Sequence, residues 1–296
     1  MKKIFFAFLL ACVAGVAQAW PTKEITLVVP YPPGGLNDQL ARNISVDLER
    51  NLNVPVVVKN IPGVSNSAAV AQLTTTKNDN HTFILTDTLG DPSAKETALY
   101  REFRPAVVIG TSPLALFGLP ASDKKNLTNK LKNQEPVMVA VAGLTSNGGL
   151  WLGSLENSKS ITRVPYKGAA QMITDTLGGH VDFGLMSMTA TYQLVSEGKL
   201  QIYMIGTGTR HKKYSNVPTF REFGFNGSDG QTWFALFSKK DTDSVAVRRF
   251  TDSVRQVIAN NATIQGLNNR GLDVINLDTK ESVAFIDKKI REFEKF

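Results

Sequence analysis

An apolar strand signal, Ile25-Thr26-Leu27-Val28-Val29, runs directly into Pro30-Tyr31-Pro32-Pro33-Gly34-Gly35 and from there into a helical pattern starting near Leu36-Asn37-Asp38. Few arrangements constrain a fold as tightly. Prolines stop a strand by removing ladder donors, and paired glycines let the backbone turn sharply and approach a ligand. The first amides of the helix that follows lack intrahelical partners and lie at its positive end. Strand, turn and helix start together make an anion cradle. Tyr31, Pro33, Gly34, Gly35, Leu36 and Asn37 are therefore candidate ligand contacts. Asp38, in the first helical turn, complements the helix dipole instead and is read as structural.

The pattern continues as an alternation. Leu40, Ala41, Ile44, Leu48 and Leu52 mark one face of a helix, and Val54 to Val58 reads as a fully buried strand. Ile61-Pro62-Gly63 turns the chain, and Ser65 or Ser67 can cap a short helix over Ala68 to Leu73. Phe83 to Thr86 is a third strand. This β-α-β-α-β order predicts a parallel sheet with helices on its faces. Thr86 and Asp87 then fall at the carboxyl edge of that sheet, where ligands of open α/β sheets gather. For Asp87 a loop or capping role and a ligand contact both stand open.

A second half repeats this logic. Val107 to Leu119, interrupted only by Gly110-Thr111-Ser112-Pro113, reads as a strand pair or a crossover, and Ser122 to Glu135 as a surface helix. Val137 to Val141 is a strand leading into Gly143-Leu144-Thr145-Ser146-Asn147-Gly148-Gly149 and a helix over Leu150 to Leu155. Thr145, Ser146 and Asn147 thus form a second cradle of hydroxyls and free amides. Ile161 to Pro165 is a strand entering Tyr166-Lys167-Gly168, followed by a helix over Gln171 to Leu177 with Gly178-Gly179 as its stop. Further strands are expected at Val181 to Met186 and Gln201 to Ile205, with a helix near Tyr192 to Glu197. Thr232 to Phe237 is a second candidate crossover. Val247, Phe250, Val254, Val257 and Ile258 form a helical stripe, and Asp278 with Glu281 has capping-box spacing. Tyr166, Lys167 (able to pair with a second carboxylate), Ser187 and Trp233 complete the candidate ligand set.

The first nineteen residues stand outside this pattern. Lys2 and Lys3 precede the apolar run Ile4 to Val16, and Ala17-Gln18-Ala19 has the small-x-small form of a cleavage site. No run reaches the roughly 18 apolar residues of a membrane span. Cleavage after Ala19 gives an exported, periplasmic chain; a lipoprotein anchor at Cys12, after Leu9-Leu10-Ala11, is the less favoured alternative. With the leader goes the single cysteine, leaving no thiol chemistry and no disulfide. Loss of Lys2 and Lys3 takes the formal charge from +7 to +5. That mild basicity suits small acidic ligands, whereas the absence of dense Lys/Arg blocks argues against nucleic acid. The sequence shows no nucleophile elbow, no Gly-x-Gly-x-x-Gly, and no metal-ligand spacing among His81, His180 and His211, so it points to neither an enzyme nor a cofactor.

Taken jointly, these segments resemble the extracytoplasmic solute receptors of tripartite tricarboxylate transporters, the Bug-type receptors. The resemblance is carried by Trp20-Pro21, the stretch Ile25 to Gly35 with Asp38, Val54-Pro55-Val56-Val57-Val58-Lys59-Asn60 and Pro62-Gly63. Val164-Pro165-Tyr166-Lys167-Gly168, Leu177-Gly178-Gly179-His180-Val181-Asp182, Gly198-Lys199-Leu200, Val217-Pro218-Thr219 and Thr232-Trp233-Phe234 extend it in the family's order. It implies an α/β periplasmic-binding-protein-like fold of type II, with two Rossmann-like lobes, a ligand cleft between them and crossover strands as hinge. The expected division is 20–115 plus 236–296 for the first lobe and 116–235 for the second, hinged near 107–119 and 230–238. It also implies a monomeric receptor that needs no cofactor, captures a small organic carboxylate and delivers it to integral-membrane transporter subunits. Signalling to a membrane sensor kinase is the alternative. The carboxylate would sit on residues 31–37 and 145–147, partly through bridging waters.

The sequence also departs from that family. Val64-Ser65-Asn66-Ser67 replaces a glycine-rich run, Ser146-Asn147-Gly148 replaces Ser-Ser-His, and the connection after Tyr100 is short. A Phe-Asp-Asn segment is missing near Met186-Ser187-Met188. The last change removes an acidic group and argues against an amino-acid ligand.

Overall fold

The computed structural model describes residues 20–63, 66–88, 99–120, 129–130, 132–144, 146–155, 158–166, 169–227 and 229–293. The leader, Thr145, Lys167 and most of the helix expected over 122–135 lie outside them.

The first sheet is built by strands β1 (Ile25–Val29), β2 (Val56–Asn60) and β3 (Thr82–Thr86), with β1 parallel to both of the others. Helices α1 (Leu36–Leu52) and α2 (Ser67–Thr75) connect them. The short helix α3 (Leu99–Glu102) leads into β4 (Phe103–Gly118), a single strand of 16 residues. Its first part pairs antiparallel with β9 (Gln231–Lys239), which in turn pairs with β3. The order is thus β2-β1-β3-β9-β4, with the two-residue β10 (Asp273–Val274) on the far side of β4.

One face of this sheet packs Leu27, Val29, Phe83 and Phe234 against Leu40, Ile44 and Leu48 of α1 and the stripe of α7 (Ser244–Ile258). Phe83 and Phe250 stack there with ring centroids 3.5 Å apart. The other face packs Val28, Ile84, Trp233 and Phe237 against Val70 of α2 and Ile286 of α9 (Thr279–Phe293). Between α7 and α9 the chain forms α8 (Asn261–Asn268). The alternation along β9, with 233, 235 and 237 on one face and 234 and 236 on the other, follows from the strand period.

The second sheet uses the far end of the same β4. Leu114 to Phe117 pair antiparallel with β7 (Phe183–Ser187), and Ala115 to Gly118 with β8 (Gln201–Ile205). β5 (Val137–Val141) lies parallel to β7 and to β6 (Ile161–Pro165). Helices α4 (Asn147–Ser154), α5 (Ala169–Leu177) and α6 (Met188–Ser196) cover its faces. Trp151 joins Leu116, Phe183 and Phe220 in one core layer; Phe117, Met172 and Leu200 form another. Each half therefore carries a twisted sheet between helices, and β4 runs through both. This is a mixed α/β, two-lobed architecture.

Of the two readings of Val107 to Leu119 the crossover holds and the strand pair does not, and the placement of β2 changes. Gly110-Thr111-Ser112-Pro113 does not divide β4: Gly110 to Pro113 stay in register with Phe234 to Gln231. Pro113 needs no ladder donor because the chain is leaving the first sheet there, and the next amide, Leu114, bonds to Gly230 O at 2.9 Å. The strand expected over Val54 to Val58 lies at 56–60 and is not fully buried, with Val57 44% exposed. Its only strand partner among the described residues is β1, so one edge and one face remain open.

Candidate functional site

The opening turn forms as the residues dictate. Gly34 sits at φ +86°, a left-handed conformation that side chains resist, and Gly35 occupies the N-cap of α1 without a side-chain cap. Asp38 holds the turn from inside. Its carboxylate accepts from the Gly34 amide at 2.9 Å, Arg42 Nε at 3.0 Å and Asn60 Nδ2 at 3.0 Å. Burial acts to raise its pKa, but the hydrogen bonds from Arg42, Gly34 and Asn60 win and hold it below the ordinary carboxylate range. The structural role expected of Asp38 is what the structure shows. The Gly34 amide is consequently committed to Asp38, which leaves the α1 start as the open part of the cradle. Gly35 has open space where a Cβ would point, with only Pro32 O at 3.7 Å.

Tyr31 and Asp87 meet across the edge of the sheet. The Tyr31 hydroxyl donates to Asp87 Oδ1 and lies 3.4 Å from Thr86 Oγ1. Burial raises the Tyr31 pKa well above its ordinary value, reinforced by the Asp87 charge. Burial likewise raises Asp87, against hydrogen bonds from Tyr31 and the side chain of Asn37. Asn37 is 7% exposed, and its Oδ1 has no partner among the described residues.

The second cradle faces this group. Ser146 caps α4, accepting from the Gly149 amide at 3.0 Å and donating to Gly143 O at 2.7 Å. Its hydroxyl is thereby spent on the loop. A Cβ on Gly149 would lie 2.3 Å from Gly143 O, so the tight turn requires glycine there. Asn147 reaches across the seam between the sheets and donates from Nδ2 to Asp87 O at 2.5 Å. The halves also meet where Lys213 Nζ donates to Asn269 O at 2.7 Å, and a Cβ added at Gly271 would lie 3.4 Å from Met188 Cβ. Thr189 also lines a small cavity with Leu36, Leu40 and Leu272.

The structure thus brings Tyr31, Leu36, Asn37, Thr86, Asp87, Ser146 and Asn147 to one seam, with Pro33, Gly34 and Gly35 exposed on its rim. Three other candidates make their side-chain contacts within their own half. Trp233 is fully buried in the first-lobe core, its ring 6.1 Å from Phe237, because its strand position faces α2 and α9. Tyr166 turns its hydroxyl to Asp175 at 2.6 Å, and Ser187 caps α6 by accepting from the Ala190 amide at 3.3 Å. Asn66 was not among the sequence candidates. It takes φ +66° at the start of α2, a conformation asparagine tolerates where most residues do not, and holds Thr88 O at 3.0 Å. The replacement of a glycine run by a segment containing Asn66 was the available signal.

No helix among the described residues is long and apolar enough to cross a membrane. The model of the tripartite tricarboxylate transporter family receptor matches residues 40–295. Protein BugT of Bordetella pertussis is 25% identical over 291 residues, covering 94% of this chain and 89% of that protein. A protein from the tcbD-tcbE intergenic region of Pseudomonas sp. strain P51 is 28% identical over 268 residues, covering 86% and 80%. Among solved structures, MatC of Rhodopseudomonas palustris with bound malate superposes with a TM-score of 0.80 at 23% identity, covering 93% of this chain and 99% of that one. An R. palustris protein with adipate gives 0.79 at 25% identity, covering 93% and 96%. Since the family model spans nearly all of the folded chain and the same architecture recurs in these structures, the chain belongs to the receptors of the tripartite tricarboxylate transporter family, which are extracytoplasmic solute-binding proteins.

Proposed function

We propose that this receptor captures a small organic carboxylate between its lobes and delivers it to the integral-membrane subunits of a tripartite tricarboxylate-type transporter, with no chemistry on the ligand. The observation that carries the reading is the pairing of two helix starts, α1 after Gly35 and α4 after Ser146, on opposite sides of one seam bridged by Asn147 and Asp87. Both present backbone amides to an anion. The adipate carried by the R. palustris neighbour supports an organic acid as the ligand class. Division into lobes at 20–115 plus 236–296 and 116–235 is supported by the two sheets except at its edges, where Leu114 and Ala115 pair in the second sheet and Gln231 to Ala235 in the first, and hinge motion would be absorbed where β4 and β9 leave the first sheet. Export with cleavage after Ala19 is supported by Trp20, whose indole donates to Asn80 O at 2.8 Å and whose carbonyl accepts from Arg249 at 2.7 Å.

A thermal-shift screen on protein stripped of ligand by unfolding and refolding tests the reading, using di- and tricarboxylic and aromatic acids. A ligand at about 100 times its dissociation constant adds about 2.7 kcal/mol. A shift from at least one carboxylate is expected. Shifts from sugars or nucleotides alone would overturn the proposal.

A further inference from the structure

A carboxylate site should be rich in donors, yet the seam between the two helix starts here carries two acceptors, Asp87 and Asn37 Oδ1. Asp87 lies half-buried at the C-terminal end of β3, and among the described residues no Lys, Arg or His forms an ion pair with it. Among the described residues neutral groups satisfy its carboxyl: the Tyr31 hydroxyl, its own backbone amide and the side chain of Asn37. Asn37 itself stands in the first turn of α1, is more than nine-tenths buried, and leaves Oδ1 without a partner. With its amide nitrogen directed to Asp87, that oxygen is the acceptor left over.

A half-buried carboxyl with no cation among the described residues and a buried acceptor without a donor are both costly. Next to an anion cradle the cost rises further, because a bound carboxylate would repel Asp87. One ligand group relieves all three problems. A primary ammonium neutralises Asp87, donates to Asn37 Oδ1, and cancels the charge of the carboxylate it travels with. A hydroxyl offers one proton to two acceptors and brings no charge.

We propose that the ligand is a carboxylate bearing a primary ammonium, an amino acid or amino dicarboxylate, whose carboxylate sits on the helix starts and whose ammonium is received by Asp87 and Asn37 Oδ1. This rests on the carboxylate reading above and names the ligand class for that site. It also supplies an acidic group in place of the one missing near Met186-Ser187-Met188, from the end of β3 in the first lobe instead of β7 in the second.

Matched ligand series test it by calorimetry on the stripped, refolded receptor: succinate, malate and aspartate; glutarate, 2-hydroxyglutarate and glutamate; adipate and 2-aminoadipate. In at least one series the amino member should bind tenfold or more tighter than the unsubstituted acid and tighter than the hydroxy acid. In Asp87→Asn, which keeps an acceptor for Tyr31, that ratio should fall to near one. Unsubstituted or hydroxy acids binding as well as amino acids would overturn the inference while leaving carboxylate capture intact. A preserved amino preference in folded Asp87→Asn would overturn the role of Asp87. Failure of every carboxylate would overturn both readings. Should Asp87→Asn not fold, the wild-type ratios decide alone.

Discussion

At the scale of single residues, two carboxylates that bond to the opening turn, Asp38 and Asp87, are shifted in opposite directions. Asp38 is held charged by three donors, so its folded pKa lies below the unfolded value. Its stabilising contribution is complete above about pH 4 and is lost as pH falls through the lowered folded value. Asp38→Ala should cost about 1–3 kcal/mol at pH 7, with the gap to wild type closing in acid, measured by urea unfolding across pH. Asp87 has the opposite sign. Burial raises its pKa, so the unliganded fold is favoured while Asp87 is protonated and loses stability as pH rises from about 4 through the raised value. Asp87→Asn should therefore melt higher than wild type at pH 7 without ligand, and the difference should vanish below about pH 4. Gly35 offers a cleaner probe of the cradle. Its backbone suits any residue and the space beyond it is open, so Gly35→Leu should retain the wild-type melting temperature. The same variant should lose at least tenfold in carboxylate affinity by calorimetry, and unchanged affinity would remove the α1 start from the site.

At the scale of elements, β4 is the part the sequence disguised. Its register slips against β9 between Pro105 and Val107 and again between Val108 and Gly110. The slip takes the Val108 amide out of the ladder, and Ser282 of α9 accepts it at 2.9 Å from a fully buried position. Ser282→Ala should strand that donor and cost about 1–3 kcal/mol by urea unfolding. A cost below about 0.5 kcal/mol would mean the amide finds another partner. Local signals nearby were fully legible. Asp278 and Glu281 form the reciprocal capping box their spacing predicts, at 2.8 and 2.9 Å, and the α7 stripe is buried residue for residue. Both depend only on neighbours in sequence. The continuity of β4 depends on β9, more than a hundred residues away, which keeps Gly110 and Pro113 in a strand that local propensity would break. The same limit applies at the site. Each cradle could be read from its own strand-loop-helix order. That Asn147 would meet Asp87, or that Trp233 would face the core, is set by how the sheets stack.

At the scale of the whole molecule, the two sheets share β4, so any closing motion must pivot about the strands that leave the first sheet near Pro113 and Gln231. Asn147 is the side chain that ties the cradles directly, through Asp87 O at 2.5 Å. It spans the two lobes, from the start of α4 to the end of β3. A hydrogen bond there contributes about 0.5–1.5 kcal/mol, and 1 kcal/mol changes a closed-to-open ratio about fivefold. Asn147→Ala should therefore leave each lobe intact and shift the ligand-free molecule toward open forms. Small-angle scattering should show a larger radius of gyration than wild type, and a saturating carboxylate from the thermal-shift panel should remove the difference. If closed lobes are the binding-competent state, apparent affinity falls in step with their population, by about fivefold. Weakened affinity with unchanged scattering would assign Asn147 to the ligand itself, and unchanged values in both would mean that closure rests on other bonds between the halves, such as Lys213 Nζ to Asn269 O at 2.7 Å.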